Sequence, residues 1–150
     1  MPEDAAHTSD TITDLADLYL HWTLCYGLRA DVMWAQMLLE TDGLRLSGRI
    51  DAEQHNLAGL KTADGSGFAS FPSLERGVIA HCVHMAWYCY RDHVRPECND
   101  HYDPRHFGVR RSGTVEPHHG GVQIVQELSG TWAEGLDYDR GICRVWNDGV

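Results

Sequence analysis

One run of the sequence constrains the fold more than any other. Residues 32–39, VMWAQMLL, are apolar except for Gln36, and the run ends on Glu40. A helix that is apolar on nearly all sides is typically buried, and Asp31 is a good N-cap, so the run predicts a buried helix over residues 32–41. Glutamate is rarely buried without a partner. Glu40 is therefore a candidate functional residue.

Length and charge restrict the class of protein. The chain has 150 residues, enough to bury most of one domain's surface, and we expect a flexible leader over 1–10 before a single domain over 11–150. The net charge of −10 argues against nucleic acid. No run reaches the roughly 20 apolar residues of a membrane span, and the acidic start lacks a signal peptide's apolar core. We expect a monomer without a membrane or nucleic-acid partner, and reduced cysteines.

Hydrophobic spacing and turn residues predict the remaining elements. A first helix should begin near Thr11 and stop at Gly27, and Pro72-Ser73 should open a helix over about 74–92. The predicted class is α+β, mainly α. The other predictions are short strands in the glycine-rich residues 42–71 (GLRLSGRI and FASF), a long ordered loop over 94–120, a short helical segment in VQIVQELSGTWAEG and a terminal helix in DYDRGICRVWND.

The position of Glu40 indicates its chemistry. A carboxyl in an apolar environment has its pKa raised, because desolvation disfavours the charged form. Such a group can donate a proton near neutral pH, as the general acid of a glycosidase does. The alternative is a solvated carboxylate at a frayed helix end.

The segment after Glu40 resembles the glucosaminidase domain of bacterial autolysins, flagellar muramidases and phage endolysins. That family typically has an apolar helix ending in Glu, a small-residue turn, an NNLFGIK-like strand and an aromatic residue before a Ser-rich helix start. The counterparts here are Glu40, Asp42-Gly43, HNLAGLK at 55–61, Phe68, Phe71, Pro72 and Ser73; Asp103-Pro104-Arg105 and LSGTWA at 128–133 resemble segments of its C-terminal half. The resemblance covers about residues 12–146. It implies a lysozyme-like fold with a buried central helix and a small β region.

The resemblance also implies the site. Glu40 would be the general acid, and Glu53, in the matched segment, the second carboxylate, although a surface acid in a turn is the simpler interpretation of Glu53. The substrate-binding residues would be Asn56, Phe68, Phe71 and Ser73. Asn56 equally fits a structural role, and the two phenylalanines equally fit core packing. No cofactor or metal is expected.

The sequence departs from the family pattern in ways that keep other functions open. The first Asn of the family's pair is His55, its usual Tyr before the third helix is Phe71, and no acid stands in Ile79-Ala80-His81. A non-catalytic peptidoglycan-binding module is therefore the alternative function. His81 and His84 form an HxxH pair, but HExxH is absent, so a structural or surface role is favoured over a zinc site.

The implied reaction is hydrolysis of the peptidoglycan glycan strand. Without a visible export signal, such an enzyme is expected to be a phage or prophage endolysin that stays in the host cytoplasm until lysis. A virion-associated lysin is the alternative setting.

Overall fold

The computed structural model describes residues 3–45, 52–62, 64–90, 122–135 and 137–149. These residues form four α-helices and two short 3-10 turns, which confirms a mainly α protein. The helices are α1 (Glu3–Tyr26), α2 (Ala30–Glu40), α3 (Leu74–Cys89) and α4 (Tyr138–Gly149), and the 3-10 turns cover Ala52–Gln54 and Val125–Leu128. No helix in these ranges is long and apolar enough to cross a lipid bilayer.

Helix α1 is longer than the sequence predicted. It begins at Glu3, so the predicted start near Thr11 is wrong by two turns. The sequence of this stretch favours a helix, because alanines 5 and 6 have the highest helix propensity. The predicted stop is confirmed, because Gly27 adopts a φ of 68° directly after the last helical residue. The flexibility of residues 1–10 stays a prediction.

Helix α2 begins at Ala30, with Arg29 at the N-cap. Asp31, predicted to be the cap, lies in the first turn instead, where its carboxylate pairs with Arg29 and accepts a hydrogen bond from Val32 N. The predicted burial is confirmed for Met33, Ala35, Gln36 and Met37. The helix packs against α1 on one side and α4 on another. Whether it is central in the lysozyme-like sense stays a prediction.

Helix α3 supplies much of the core. Its start is as predicted: the Ser73 hydroxyl caps it by accepting from Arg76 N at 3.2 Å. Residues 77–88 are all buried, and the helix packs against α1. It ends at Cys89, three residues before the predicted end, because Tyr90 is extended. Cys82, Cys89 and Cys143 are free thiols, whereas Cys25 is disulfide-bonded, so the expectation of reduced cysteines is wrong for Cys25.

Residues 52–62 and 64–71 form what we call the Asn56 segment. Turns hold this segment more than strands do. Among the described residues, the predicted small β region is reduced to one antiparallel bridge between Lys61 and Phe68; a second isolated bridge joins residues 129 and 133 elsewhere in the chain. Most of GLRLSGRI, the loop over 94–120 and Asp103-Pro104-Arg105 lie outside the described residues.

The Asn56 segment is seated on α3 through a backbone contact. A Cβ on Gly77 would stand 1.9 Å from the carbonyl oxygen of His55, so only glycine allows this approach. His55 itself adopts a φ of 50°, and its Nδ1 hydrogen-bonds the Phe71 carbonyl at 2.8 Å. The segment is thereby fixed at the start of α3.

Candidate active site

Glu40 is held at the end of α2 by a tight turn. Thr41 donates its hydroxyl to the Met37 carbonyl at 2.8 Å and accepts from Leu44 N at 3.0 Å. Asp42, Gly43 and Leu44 then adopt positive φ angles of 52°, 64° and 66°. Non-glycine residues adopt such angles only where the surrounding structure enforces them. Glu40 is therefore not at a frayed helix end.

Two side chains donate hydrogen bonds to Glu40, and both reach the same oxygen. Trp132 Nε1 donates to Oε1 at 3.2 Å, and the hydroxyl of Tyr138 donates to Oε1 at 2.5 Å. The carboxyl is partly buried. Among the described residues, nothing hydrogen-bonds Oε2. The second oxygen is thus the one left for a reacting partner.

The turn that carries Trp132 is built from local hydrogen bonds. It follows the 3-10 turn Val125–Leu128, and Trp132 N donates to the Leu128 carbonyl at 3.0 Å. Gly130 provides the positive φ of 81° that the turn requires. Ser129 links this turn to the start of α4, since its hydroxyl donates to the Asp139 carboxylate at 2.7 Å and accepts from Asp139 N at 2.9 Å. Trp132 and Tyr138 are thereby held side by side.

A series of buried side chains continues from Tyr138 into the core. Gln36 Nε2 donates to the Tyr138 hydroxyl at 3.0 Å, and Gln36 Oε1 lies 2.8 Å from His81 Nε2. His81 Nδ1 lies 2.8 Å from the hydroxyl of Tyr19. Tyr19, Gln36 and His81 are each at most 1% exposed. We call Tyr19, His81, Gln36 and Tyr138 the polar chain.

The electrostatics of the site follow from this burial. Desolvation raises the pKa of Glu40, and the hydrogen bonds from Tyr138 and Trp132 only partly oppose it. Burial, followed by the neighbouring Glu40 carboxylate, raises the pKa of the Tyr138 phenol. Burial and the nearby His84 lower the pKa of His81 to about 3. The site therefore combines a neutral imidazole, a protonated phenol and a carboxyl that retains its proton more readily than an exposed one.

Trp132 connects this site to the Asn56 segment. Its ring stands 4.7 Å from that of His84 and 5.5 Å from that of Tyr88, both on α3. The same indole packs against a small apolar cluster drawn mainly from the Asn56 segment: Ala58, Leu60, Ala69, Phe71 and Ala80. Contacts with α3 and with the Asn56 segment thus fix the position of Trp132, one of the two donors to Glu40.

The predicted substrate-binding residues differ in what they can offer a sugar. Asn56 is 1% exposed, and its amide is fully engaged by backbone groups of residues 58, 60 and 69. Phe71 is 3% exposed and packs in the core, so its ring presents no face to solvent. The Ser73 hydroxyl caps α3. Phe68 and Ser73 are half-buried, and Phe68, at the edge of the segment, retains an apolar surface that could contact a sugar.

Glu53, the predicted second carboxylate, is exposed on the 3-10 turn Ala52–Gln54. It makes no hydrogen bond or ion pair with a described residue, and no described contact joins it to Glu40. Its catalytic role stays a prediction.

The residues around Glu40 were mostly missed from the sequence. Tyr138 lies 98 positions from Glu40 and Trp132 lies 92 positions away. Three signals were present: Gln36 is the only polar residue in the apolar run, His81 belongs to the HxxH pair, and Trp132 lies in the LSGTWA segment that resembles the family. Both histidines of that pair are buried, and both ring nitrogens of His81 are hydrogen-bonded. Across the described ranges, no group of three or more His, Cys, Asp or Glu side chains could hold a metal ion.

Sequence similarity to known proteins identifies the family of the chain. An uncharacterized protein of Borreliella burgdorferi is 27% identical over 135 residues, which cover 89% of this chain and 61% of that protein. The chain thus spans about three-fifths of this relative's length. No solved structure matches. The model of the glucosaminidase family, described as mannosyl-glycoprotein endo-beta-N-acetylglucosaminidase, matches residues 16–147 and so includes every residue of the site. The chain belongs to the glucosaminidase family.

Proposed function

We propose that this chain hydrolyses the glycan strand of bacterial peptidoglycan, as an endo-β-1,4-N-acetylglucosaminidase or a muramidase. The observation that carries the proposal is the state of Glu40. Its carboxyl is partly buried at a rigid helix end, burial raises its pKa, and its two hydrogen bonds reach one oxygen. Membership of the glucosaminidase family supports a glycoside hydrolase.

Glu40 acts as the general acid in this proposal. Its proton, carried on Oε2, passes to the glycosidic oxygen as the bond from that oxygen to the anomeric carbon breaks. The sugar acquires oxocarbenium character, and the leaving strand departs with a new hydroxyl. Glu40 is left as a carboxylate. Trp132 and Tyr138 already donate to Oε1, so they stabilise the charge that develops there without reorganising.

Two routes remain for the water that completes hydrolysis. In the first, a carboxylate of the Asn56 segment, with Glu53 as the predicted residue, activates the water. In the second, the substrate's own N-acetyl group assists at the anomeric carbon. Glu53→Gln separates them: a loss of about 100-fold or more in kcat supports the carboxylate, and an unchanged kcat supports the acetamido group.

The proposal is tested with Glu40→Gln. Glutamine keeps an oxygen that can accept from Trp132 and Tyr138 but has no acidic proton, so kcat/KM should fall by about 10²- to 10⁴-fold. The assay is release of reducing ends from purified peptidoglycan. Mass spectrometry of the products identifies the bond, since muramic acid and glucosamine ends differ by a lactyl group.

The matched control is Asp148→Asn. It removes the same formal charge from an exposed side chain of α4, about 15 Å along the helix from Tyr138 at the α-helical rise. It should keep wild-type activity. Near-wild-type activity of Glu40→Gln would overturn the proposal. Binding of wild-type protein to cell walls without new reducing ends would favour the non-catalytic module instead.

We further propose a phage or prophage endolysin as the biological setting, with the enzyme retained in the host cytoplasm until lysis; a virion-associated lysin is the alternative. The net charge of −10 gives no long-range attraction to an anionic wall. Affinity would then come from the cleft, and added salt should not weaken binding, because it screens only repulsion.

A further inference from the structure

The polar chain joins all four of the described helices. Tyr19 lies on α1, His81 on α3 and Gln36 on α2, and the first residue of α4, Tyr138, carries the connection to Glu40. Its four steps measure 2.8, 2.8, 3.0 and 2.5 Å. Burying a polar group is costly unless it is hydrogen-bonded, and replacing both partners of a buried hydrogen bond by apolar groups of the same shape can be nearly neutral or stabilising. Apolar side chains of similar volume would fill these positions at similar or lower cost.

The direction of every hydrogen bond in the polar chain follows from the amide of Gln36. Its Nε2 end can only donate, so the Tyr138 oxygen accepts there and the single Tyr138 proton goes to Glu40. Its Oε1 end can only accept, so His81 Nε2 carries the proton. His81 is neutral at any pH well above about 3. Its Nδ1 therefore accepts, and Tyr19 donates to it.

All four donors thus point toward Glu40 Oε1. We propose that Gln36, His81 and Tyr19 are positioning residues that commit the Tyr138 proton to Oε1 and so keep the acidic proton of Glu40 on Oε2. The inference rests on the proposed function, in which that proton is transferred. It assigns a role to buried residues that contact no substrate.

The donation of the Tyr138 proton to Oε1 affects the pKa of Glu40. Without the Gln36 amide, the Tyr138 hydroxyl could rotate or accept instead of donating to Oε1. The Glu40 carboxylate would lose a stabilising donor, and its pKa would rise further. The high-pH limb of the kcat profile, which reports ionisation of the acid in the substrate complex, would then move to higher pH.

The first test is Gln36→Met, which keeps an unbranched side chain of similar length and removes both polar ends. We expect kcat to fall about tenfold because Glu40 is less well oriented. We also expect KM to be unchanged and the high-pH limb to shift upward. Titration of the Glu40 carboxyl by ¹³C NMR, which requires no activity, should show the same upward shift.

The second test is Tyr19→Phe, which removes one oxygen at the far end of the polar chain and keeps the ring that packs edge-to-face on Trp34 at 5.8 Å. Tyr19→Phe tests the positioning role by itself if Gln36→Met does not fold. Without the Tyr19 donor, the His81 tautomer and the orientation of the Gln36 amide can invert together, so the effects should have the same direction and be smaller. ¹⁵N NMR of the His81 ring should show the Nε2–H tautomer in the wild type and a mixture in Tyr19→Phe.

Thr23→Val is the control for lost core stability. Thr23 is 1% exposed and donates to the Tyr19 backbone carbonyl, outside the polar chain. It should lower the free energy of unfolding and leave kcat and the Glu40 titration unchanged. If Gln36→Met and Tyr19→Phe behave like Thr23→Val, the inference is overturned and the polar chain is only structural. A wild type that releases no reducing ends would refute the proposed function instead, and the NMR titrations would still decide this inference.

Discussion

The Glu40 site and the Asn56 segment use buried polar groups in opposite ways. In the Asn56 segment, one side chain satisfies backbone groups at most 13 positions away along the chain. In the Glu40 site, side chains bond other side chains across 45 to 102 positions. The first arrangement fixes the path of the backbone, and the second fixes the direction of donors. Substitutions should therefore reduce stability in the segment and turnover in the site.

The largest effect is expected where the Asn56 segment meets α3. In Gly77→Ala, the new Cβ would clash with the His55 carbonyl, and backbone cannot move aside as a flexible side chain can. We expect a loss of at least about 3 kcal/mol in the free energy of unfolding, the upper end for overpacking. Urea denaturation measures this loss.

Gly141→Ala is the matched control. Gly141 lies on α4 and faces the side chain of Leu39, the residue before Glu40. Its Cβ would meet the end of the Leu39 side chain at 3.1 Å, which can shift. Alanine gains up to about 1 kcal/mol in helix propensity over glycine, so the net change should be small. If Gly77→Ala and Gly141→Ala lost the same free energy of unfolding, the close contact of Gly77 with the His55 carbonyl would not be the cause of the loss.

A smaller loss should follow Asn56→Ala. It leaves the Ala69 carbonyl and the Leu60 amide without their side-chain partner in a buried place, whereas the Leu60 carbonyl still accepts from Ala69 N. A buried group left unpaired costs about 1–3 kcal/mol, so we expect a loss of about 2–4 kcal/mol by urea denaturation. At a temperature where the variant is folded, its kcat should remain near that of wild type.

Thr62→Ala is the control, because it removes a polar side chain from the same segment. The Thr62 hydroxyl donates a hydrogen bond to the Asp64 carboxylate at the surface. Its loss should be well below that of Asn56→Ala. The comparison between the regions fails if Asn56→Ala lowers kcat as much as Gln36→Met does.

Local signals predicted the fold better than the site. The end of α1 at Gly27 and the cap of α3 at Ser73 depend on neighbours within a few residues, and both are confirmed. The early start of α1 was missed because acidic and small polar residues are common in both leaders and first helical turns. Asp31 was misplaced as a cap because a residue of the first turn can also bond a nearby backbone amide.

The partners of Glu40 could not be predicted, because nothing local links them. Glu40 itself stood out because it ends an apolar run. Trp132 and Tyr138 belong to a different part of the chain. The packing of α4 on α2 brings Tyr138 to the carboxyl, and the packing of Trp132 on α3 and the Asn56 segment sets its indole there. Gln36 was visible as the one polar residue in that run, but its partner His81 comes from α3.

The smallest predicted effect is the pH dependence of stability contributed by Glu40. Burial raises its pKa above the ordinary value of 4.5, so its contribution is complete below pH 4.5 and is lost as the pH rises through the folded-state pKa. Glu40→Gln should therefore match the wild type in free energy of unfolding near pH 4 and become the more stable protein toward neutral pH. The net charge of −10 means that removing any acid relieves some repulsion, and Asp148→Asn measures that background. The gain in free energy of unfolding of Glu40→Gln could instead be constant with pH, or no larger than that of Asp148→Asn. Either result would show that the site does not hold Glu40 at a cost in stability. The two regions would then differ less than their contacts indicate.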